Sequence, residues 1–471
     1  MRAYLAVLAI AAYFSAMAWP GLWSGFNHDD LMNTTFTLRD GWERILKGNL
    51  LFFSTEYRPL GALFYRSLYD TFGLNSFPFR VVGISCLAIN IVQLYRLTRI
   101  LTGSGEAGLY AATIITWHGN FAPLFFGSGN IYDVLAFLFY ISALVYYTGV
   151  RRTRVLKAKD VAILALLQIC GLNSKEFTAT LPIVLAAYEL IFHRPNESLL
   201  RWPLREGRGV LLSVIISAVY ALGKVFGPES LTSQVAYRPR ISLEAYFASA
   251  VVFLNDFTYQ TTWGSIDKAA VLIVCLIALP LVLRNRTMLV AAALSLLGPL
   301  PVMLISPRGL ASHYITVGGL AIWTAALLLD LRLRFVNLIR AKPWESVYLQ
   351  SVMFVLLFGY VVKTHGKESA FQYDAFWKEN RPIEEALASM RKHPEWFTTE
   401  RRVLVASDPF ENHEWGSVFS GILTAGRYDL PIFRLQNLDR KKDTERIDWC
   451  NTFLKWKDHD FVEVSRDEAL R

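Results

Sequence analysis

The chain has little charge and few cysteines for its length. Of its 471 residues only 18% are charged, and four are cysteine. Three of these, Cys86, Cys170 and Cys275, lie in apolar runs and only Cys450 lies in polar sequence, so they form neither a disulfide framework nor a CxxC metal site. The sequence also lacks low-complexity tracts and repeats of fixed period. These absences exclude a disulfide-stapled secreted domain, a solenoid and a long disordered tail.

Apolar residues, in contrast, are in excess. Hydrophobic residues make up 53% of the chain and aromatic residues 14%, with a mean hydropathy of +0.31, which is too apolar for an ordinary soluble enzyme. The net charge of +9 is interpreted as the basic signature of cytoplasmic loops rather than as a surface for nucleic acid. We therefore expect a polytopic protein that contacts membrane lipids and binds no nucleic acid.

About eleven mostly apolar runs are long enough to cross a bilayer, alone or within a bundle. They cover residues 3 to 22, 79 to 101, 107 to 126, 131 to 150, 161 to 173, 177 to 192, 209 to 226, 267 to 283, 287 to 305, 314 to 330 and 346 to 363. Basic residues occupy every second connection, which predicts a cytoplasmic N-terminus and an outside C-terminus. The first run also ends in Ser15-Ala16-Met17-Ala18, as a cleaved signal peptide does, so its retention stays open. In the absence of a eukaryotic targeting signal, we expect a bacterial inner membrane.

The hydropathy collapses after the last run and divides the chain into two regions. Residues 1–364 form the predicted membrane module, with long outer loops at 23–76 and 227–266, and residues 365–471 form a small exterior, periplasmic domain. In the first loop, the pattern predicts a helix over 38–53 that lies flat on the membrane.

The polar C-terminal region shows mixed patterns. They predict a helix at 381–390 and strands at 403–405 and 461–464. The predicted fold class is therefore an all-α polytopic membrane bundle with a small α/β exterior C-terminal domain. The core of such a small domain is thin, so we expect it to pack on the outer loops.

Acidic residues near the outer ends of the spans are candidate catalytic groups. Asp29 and Asp30 directly follow the first span, where a carboxylate can take a proton from an incoming hydroxyl. Asp133 opens the fourth span, where an ionisable group must face the bundle interior or water. The structural alternatives are a solvated loop pair for Asp29 and Asp30 and a helix-dipole partner for Asp133.

Basic residues at the same level are candidates for binding a phosphate leaving group, which needs cations where negative charge develops. Lys175 and Glu176 lie at the turn of a short hairpin, for which a salt-linked turn is the alternative. Arg58 and Arg308 lie beside Pro and Gly in loops, whereas Lys224 is explained better as a lysine that snorkels to the interface.

No local metal or nucleotide motif accompanies these residues. His313 has no second His or Cys at ligand spacing, so a structural role is favoured over metal binding. The chain contains no phosphate-binding loop, no dinucleotide fingerprint and no nucleophile elbow, which argues against nucleotide hydrolysis and serine-hydrolase chemistry.

The order of these motifs resembles the GT-C superfamily of integral-membrane glycosyltransferases, in particular the protein O-mannosyltransferase-like branch that uses polyprenyl-phosphate sugars. The residues that carry the resemblance are Phe26-Asn27-His28-Asp29-Asp30, Tyr57-Arg58-Pro59-Leu60, Gly73-Leu74-Asn75, Asp133, Ser174-Lys175-Glu176 and Ser312-His313-Tyr314. The chain departs from the family where His-Tyr replaces the more usual Arg-Tyr, and its tail has no tetratricopeptide repeat.

The resemblance implies inverting transfer of a sugar from a polyprenyl-phosphate donor to a hydroxyl acceptor at the outer face. It leaves open the sugar, the acceptor (a lipid, a glycan or a protein) and the need for a divalent cation, and it implies no other cofactor. The implied catalytic residues are Asp29 or Asp30 as the base, with Asp133, and the implied substrate-binding residues are Arg58, Lys175, Glu176, Arg308, His313 and Tyr314. The alternatives are a transporter or flippase of a lipid-linked or anionic substrate and a non-catalytic assembly factor.

Overall fold

The computed structural model describes residues 3–54, 57–193, 201–225, 235–260, 262, 264–410 and 413–471. Within the two predicted outer loops, residues 55, 56, 227–234, 261 and 263 therefore lie outside the described residues. The helices are α1 (Ala3–Ala18), α2 (His28–Leu50), α3 (Pro59–Phe72), α4 (Ser76–Thr102), α5 (Gly105–Thr116), α6 (Ala122–Phe126), α7 (Ile131–Arg151), α8 (Ala158–Ser174), α9 (Leu181–Phe192), α10 (Arg208–Val225), α11 (Leu243–Thr258), α12 (Ile266–Leu283), α13 (Arg286–Leu297), α14 (Leu300–Met303), α15 (Tyr314–Leu338), α16 (Pro343–Lys392), α17 (Gly416–Ala425), α18 (Thr444–Trp449) and α19 (Arg466–Leu470).

The helical part is a membrane bundle. Among the described residues, six helical segments are long and apolar enough to span a bilayer: Tyr4–Trp23, Ser76–Thr102, Ile131–Arg151, Ile266–Leu283, Leu310–Leu338 and Pro343–Lys392. Of the other predicted runs, 209–226 forms the 18-residue helix α10. The remaining runs form helices that are shorter or broken, since 107–126 is divided between α5 and α6 and 287–305 between α13 and α14. The predicted helical membrane bundle is confirmed, although these six segments are fewer than the runs that hydropathy indicates.

The first long connection begins its helix earlier than its pattern predicts. Asn27 caps α2, because its Oδ1 accepts from Asp30 N at 2.8 Å while Asp30 Oδ2 accepts from Asn27 N at 3.1 Å. The helix then breaks at Gly41, whose φ of 68° is one that glycine adopts readily. The predicted helix over 38–53 therefore corresponds to the part of α2 after this break, which ends at Leu50, and the part before the break was not predicted.

α16 carries the chain from the bundle into the C-terminal region without interruption. It is 50 residues long and contains the predicted helix at 381–390 as its last part. The predicted domain boundary after residue 364 falls inside this helix, so one continuous helix joins the two regions.

The C-terminal region is built on a small mixed sheet. Its strands are β1 (Val403–Ser407), β2 (Ile432–Arg434), β3 (Thr452–Lys457) and β4 (Asp460–Glu463), in the order β2-β1-β3-β4. β1 is parallel to β2 and β3, with Val403 opposite Ile432 and Thr452, and β4 is antiparallel to β3. The central position of β1 explains its unbroken apolar run, because a parallel strand is covered on both faces. The predicted strands at 403–405 and 461–464 correspond to β1 and β4.

The C-terminal region packs on the helices that follow the first span. Phe419 of α17 meets Phe36 of α2 edge to face, with ring centroids 6.0 Å apart. Tyr69 Oη of α3 donates to Leu423 O at 2.6 Å. We call the end of the bundle that bears this region the domain end, and the opposite end the far end.

Candidate active site

A cavity of about 390 Å³ lies at the domain end of the bundle. Seven charged side chains line it: Asp29, Arg58, Asp133, Lys175, Glu176, Lys224 and Arg308. Its apolar wall is formed by Pro239, Ile241, Pro301, Val302, Leu304 and Ile305. Six of the nine predicted site residues therefore share one cavity, although they come from five separate stretches of the chain.

The two adjacent aspartates have different environments. Asp30 is fully buried and accepts hydrogen bonds from Arg80 at 2.7 Å, from Ser128 N at 2.9 Å and from Tyr65 Oη at 3.2 Å. Asp29 lines the cavity and receives no hydrogen bond from the described residues. The capping box turns Asp30 inward, because the third residue of a helix points back toward its cap. The preceding side chain, that of Asp29, falls on another face of the helix.

Asp29 is the more accessible of the two carboxylates. The protein around it removes part of its water, and Asp30 adds a second negative charge close by, so both effects raise the pKa of Asp29. It retains solvent access at the mouth of the cavity. A carboxylate with an elevated pKa and an open approach matches the needs of a general base.

Lys175 and Asp133 form a buried ion pair at the cavity wall. The lysine Nζ donates to both carboxylate oxygens of Asp133 at 2.6 Å. Asp133 lies in the first turn of α7, and Lys175 ends α8 in extended backbone. The salt link is therefore made across the bundle and not within the hairpin turn.

Arg58 and Glu176 form a second pair, with two parallel hydrogen bonds. Arg58 Nε and Nη2 each donate to one carboxylate oxygen of Glu176 at 3.0 Å. Arg58 adopts a φ of 46° directly before Pro59, a conformation that costs energy for a residue with a Cβ and persists only when the surrounding contacts hold it. The strain indicates that the position of this guanidinium is enforced.

Aromatic rings lie between the guanidinium groups of Arg58 and Arg308. The Arg58 guanidinium lies 4.5 Å from the ring centroid of Tyr57 and 5.6 Å from that of Tyr237. Arg308 lies 5.0 Å from the Tyr237 centroid, and Tyr57 Oη donates to Tyr237 Oη at 3.0 Å. Tyr237 thus holds two cations at one wall of the cavity. Nothing in its local sequence distinguishes it from the other 20 tyrosines of the chain.

Lys224 was expected to snorkel and instead lies inside the cavity wall. It is only 7% exposed and its Nζ lies 5.7 Å from the ring centroid of Tyr220, one helical turn earlier on α10. Tyr220 and Lys224 are four residues apart and so lie on one face of the helix. This spacing is the sequence signal that could have indicated the position of Lys224.

His313 and Tyr314 do not line the cavity, and neither does Asp30. Tyr314 is 2% exposed and packs with its ring centroid 4.5 Å from that of Phe137. His313 is fully buried against Phe253, at 5.6 Å between centroids, and neither ring nitrogen has a hydrogen-bond partner among the described residues. Both side chains lie in the packed core behind the cavity.

The C-terminal region reaches the mouth of the cavity. Its loop after β1 stacks His413 on His28, with ring centroids 3.3 Å apart and planes 17° apart. Burial, with His413 as a neighbour, lowers the pKa of His28 to about 3. A neutral imidazole therefore stands next to Asp29 in the chain.

No group of three or more His, Cys, Asp and Glu side chains suited to a metal ion occurs in the part of the chain that the structure describes. The residues that line the cavity supply one accessible carboxylate, four cations and an apolar wall.

Comparisons with known proteins agree with this architecture. Residues 57–222 match the family model of dolichyl-phosphate-mannose-protein mannosyltransferases. The crystal structure of ArnT from Cupriavidus metallidurans bound to undecaprenyl phosphate matches with a TM-score of 0.50 and 13% identity, over 98% of each chain. Its apo state matches with a TM-score of 0.50 and 14% identity, over 96% of this chain and 93% of that one.

A more distant structure is the archaeal oligosaccharyltransferase AglB from Archaeoglobus fulgidus, with a TM-score of 0.48 and 13% identity over 96% of this chain and 69% of that one. No curated protein sequence matches the chain. The family match and the fold shared with ArnT confirm the predicted resemblance. Residues 57–222 are thus similar to this mannosyltransferase family, and the whole chain shares the fold of ArnT.

Proposed function

From this family resemblance, we propose that the protein transfers a sugar from a polyprenyl-phosphate donor to a hydroxyl acceptor, with inversion at the sugar. The observation that carries the proposal is the cavity, where an accessible carboxylate, four cations and an apolar wall meet. The carrier class is suggested by ArnT, whose structure was obtained with undecaprenyl phosphate.

Asp29 is the proposed base. Its carboxylate takes the proton of the acceptor hydroxyl as that oxygen attacks the anomeric carbon of the donor sugar. The bond between the anomeric carbon and the phosphate oxygen breaks, and its electron pair leaves with polyprenyl phosphate. Asp30 is proposed to have a structural role, because its carboxylate already accepts hydrogen bonds from Arg80, Ser128 and Tyr65.

The cations are proposed to bind the phosphate as its charge increases. Lys175 and Arg58 are held by Asp133 and Glu176, so the two carboxylates orient the cations and limit the repulsion between them. Arg308 and Lys224 complete this side of the cavity. Preorganised cations stabilise a leaving phosphate most when they need not move during the reaction.

The apolar wall is proposed to receive the first isoprene units of the carrier. Ile241 and Ile305 lie on it, and Ile241 is 87% exposed, so the wall continues from the cavity to the surface. We also propose that the shorter helices complete about eleven crossings and that the domain end faces the exterior, as the distribution of Lys and Arg predicts.

The test is a transfer assay with the purified full-length protein reconstituted in sealed lipid vesicles. Synthetic polyprenyl-phosphate sugars are supplied with cell-envelope acceptors, and release of polyprenyl phosphate is measured together with the labelled product. Release that depends on an acceptor supports the proposal. Movement of an intact donor across the bilayer without release would identify a flippase, and inactivity with every donor and acceptor would favour an assembly factor.

A further inference from the structure

A second recess, of about 380 Å³, lies at the far end of the bundle, away from the proposed active site. Arg96, Arg99 and Arg152 line it, with Ile100 and Gly103 between them. The first two arginines belong to the last turns of α4, and the third directly follows α7. Three guanidinium groups from two neighbouring helices therefore surround one space.

None of these three arginines is neutralised by a carboxylate among the described residues. Arg152 Nη1 donates to Ile100 O at 3.1 Å, and Arg96 Nη1 reaches Gln93 Oε1 at 3.5 Å. Two other arginines close in sequence to Arg152 are, in contrast, paired with carboxylates.

Arg151, directly before Arg152 in the chain, has a carboxylate partner. It donates to both carboxylate oxygens of Glu189 at 2.7 and 2.8 Å. Arg154 pairs with Asp160 at 2.5 Å. At the far end, carboxylates therefore pair with Arg151 and Arg154, and among the described residues none pairs with the three arginines of the recess.

The surface of α4 leads from the recess toward the middle of the bundle. Ile89, Val92, Arg96 and Arg99 follow one another at intervals of three and four residues, so they lie along one face of the helix. Ile89 is 47% and Val92 55% exposed. This face is apolar within the span and basic at its end.

We propose that this three-arginine recess binds the headgroup phosphate of an anionic phospholipid whose acyl chain lies along Ile89 and Val92. The two parts of the lipid match the two parts of the helix face. A phosphate diester presents oxygens that guanidinium groups bind by paired hydrogen bonds, and basic recesses at the ends of membrane helices are suited to anionic headgroups. The apolar continuation distinguishes a lipid from a free phosphate ion, which gains nothing from it.

The test measures lipid binding by native mass spectrometry of the full-length protein in detergent, with phosphatidylglycerol added. The variant Arg96→Gln/Arg99→Gln/Arg152→Gln removes the recess cations. We expect it to bind one phosphatidylglycerol fewer, or to bind that lipid at least ~10-fold more weakly. The single variant Arg99→Gln, which is less disruptive to folding, should show a smaller loss of the same kind.

The matched control removes three exposed arginines from the same end, as Arg284→Gln/Arg286→Gln/Arg340→Gln. Thr287 Oγ1 donates to Leu101 O at 2.9 Å, which places the start of α13 beside the end of α4. The control should retain the lipid. If both triple variants lost phosphatidylglycerol binding equally, the loss would be due to the general surface charge, and the proposal would be overturned.

Soluble glycerol phosphate separates the two sources of phosphate. The proposal requires that it fails to displace the lipid at the same concentration, whereas equal competition would overturn the assignment to a lipid. None of these outcomes depends on sugar transfer, so the recess and the proposed enzyme activity stand or fall separately.

Discussion

Among the described residues, buried ion pairs occur at both ends of the bundle, and two of those at the domain end border the cavity. At the far end, Arg151 binds Glu189 and Arg332 Nη2 donates to Glu106 Oε2 at 2.7 Å. Tyrosines complete these pairs, with Tyr147 donating to Glu189 at 2.8 Å and Tyr110 to Glu106 at 2.8 Å. Each far-end carboxylate is thereby enclosed by its own donors.

The domain end uses the same chemistry around a cavity. Two of its pairs, Arg58 with Glu176 at 3.0 Å and Lys175 with Asp133 at 2.6 Å, are also within hydrogen-bond distance, yet all four residues line the space where Asp29 lies. The comparison teaches that burial and pairing alone do not mark a functional charge, because a helical bundle also needs such pairs for its assembly. Access to a shared cavity is what distinguishes the two sets.

The largest expected effect follows from removing the accessible carboxylate. Asp29→Asn should lower kcat by ~10²–10⁴-fold, since general-base catalysis typically contributes that much, while thermal unfolding in detergent stays unchanged. Asp40→Asn, on the same helix and outside the cavity, is the matched control and should retain activity. Full turnover in the Asp29 variant would remove the base assignment.

Removal of the adjacent carboxylate, Asp30, should lower stability as well as activity. Asp30→Ala leaves Arg80 buried without its partner, which typically costs about 3–5 kcal/mol of stability. We expect the yield of folded protein and the unfolding temperature to fall together with activity. A stable but inactive Asp30 variant would show that Asp30 takes part in the chemistry.

One substitution made at both ends tests the role of the cavity directly. Glu189→Ala should destabilise the protein by about 3–5 kcal/mol, because the buried Arg151 then keeps only its longer contact of 3.6 Å with the partly exposed Glu206. Glu176→Ala should cost on the order of 1 kcal/mol, since water in the cavity can solvate Arg58, but it should lower transfer far more than stability. Unfolding curves and transfer rates of both variants provide the measurement, and equal stability losses would contradict the distinction.

A smaller effect is expected from replacing Arg58, whose guanidinium makes two parallel hydrogen bonds to Glu176. Arg58→Lys keeps the charge but loses the paired contact with Glu176 and the stacking on Tyr57, so the KM for the donor should rise by ~10-fold, the equivalent of about 1.4 kcal/mol. Arg66→Lys, in an exposed pair with Asp70, serves as the control. An unchanged donor KM in Arg58→Lys would place this residue outside the binding site.

The pH dependence should report the environment of Asp29. Burial and Asp30 favour its neutral form and raise its pKa above the ordinary value of 3.8, and a protonated carboxyl cannot accept the acceptor's proton. The ratio kcat/KM should therefore fall as the pH falls through that raised pKa, with a midpoint above 3.8. A midpoint at or below this value, measured on protein that stays folded, would exclude the predicted environment.

Much of the membrane fold could be predicted from hydropathy, because the free energy of transfer to the bilayer acts on each run separately. The runs at 79–101 and 131–150 coincide with α4 and α7 to within a few residues. The break in 107–126 could not be predicted, since the histidine and glycine there are set by contacts with distant segments. His118 Nε2 bonds Phe257 O at 3.1 Å, and Gly119 N donates to Tyr259 Oη at 2.6 Å.

The candidate site could be predicted in part. Motif order singled out Asp29, Asp133, Arg58 and Lys175, which line the cavity, but it gave equal weight to Asp30. It also placed Tyr314 among the binding residues, although this ring is packed in the core. The direction in which a side chain leaves its helix depends on caps and partners, such as Asn27 and Arg80, that lie outside the motif.

The amino-acid sequence by itself determined that this chain enters a membrane as helices and that charged residues collect near one set of helix ends. Both follow from local properties, namely the transfer energy of apolar runs and the cost of burying charge. Only the tertiary structure decided that Asp29 faces the cavity, that Asp30 belongs to Arg80, and that Tyr237 and Lys224 join the wall. These outcomes arise from contacts between residues far apart in the chain, and such contacts exist only after the helices have packed.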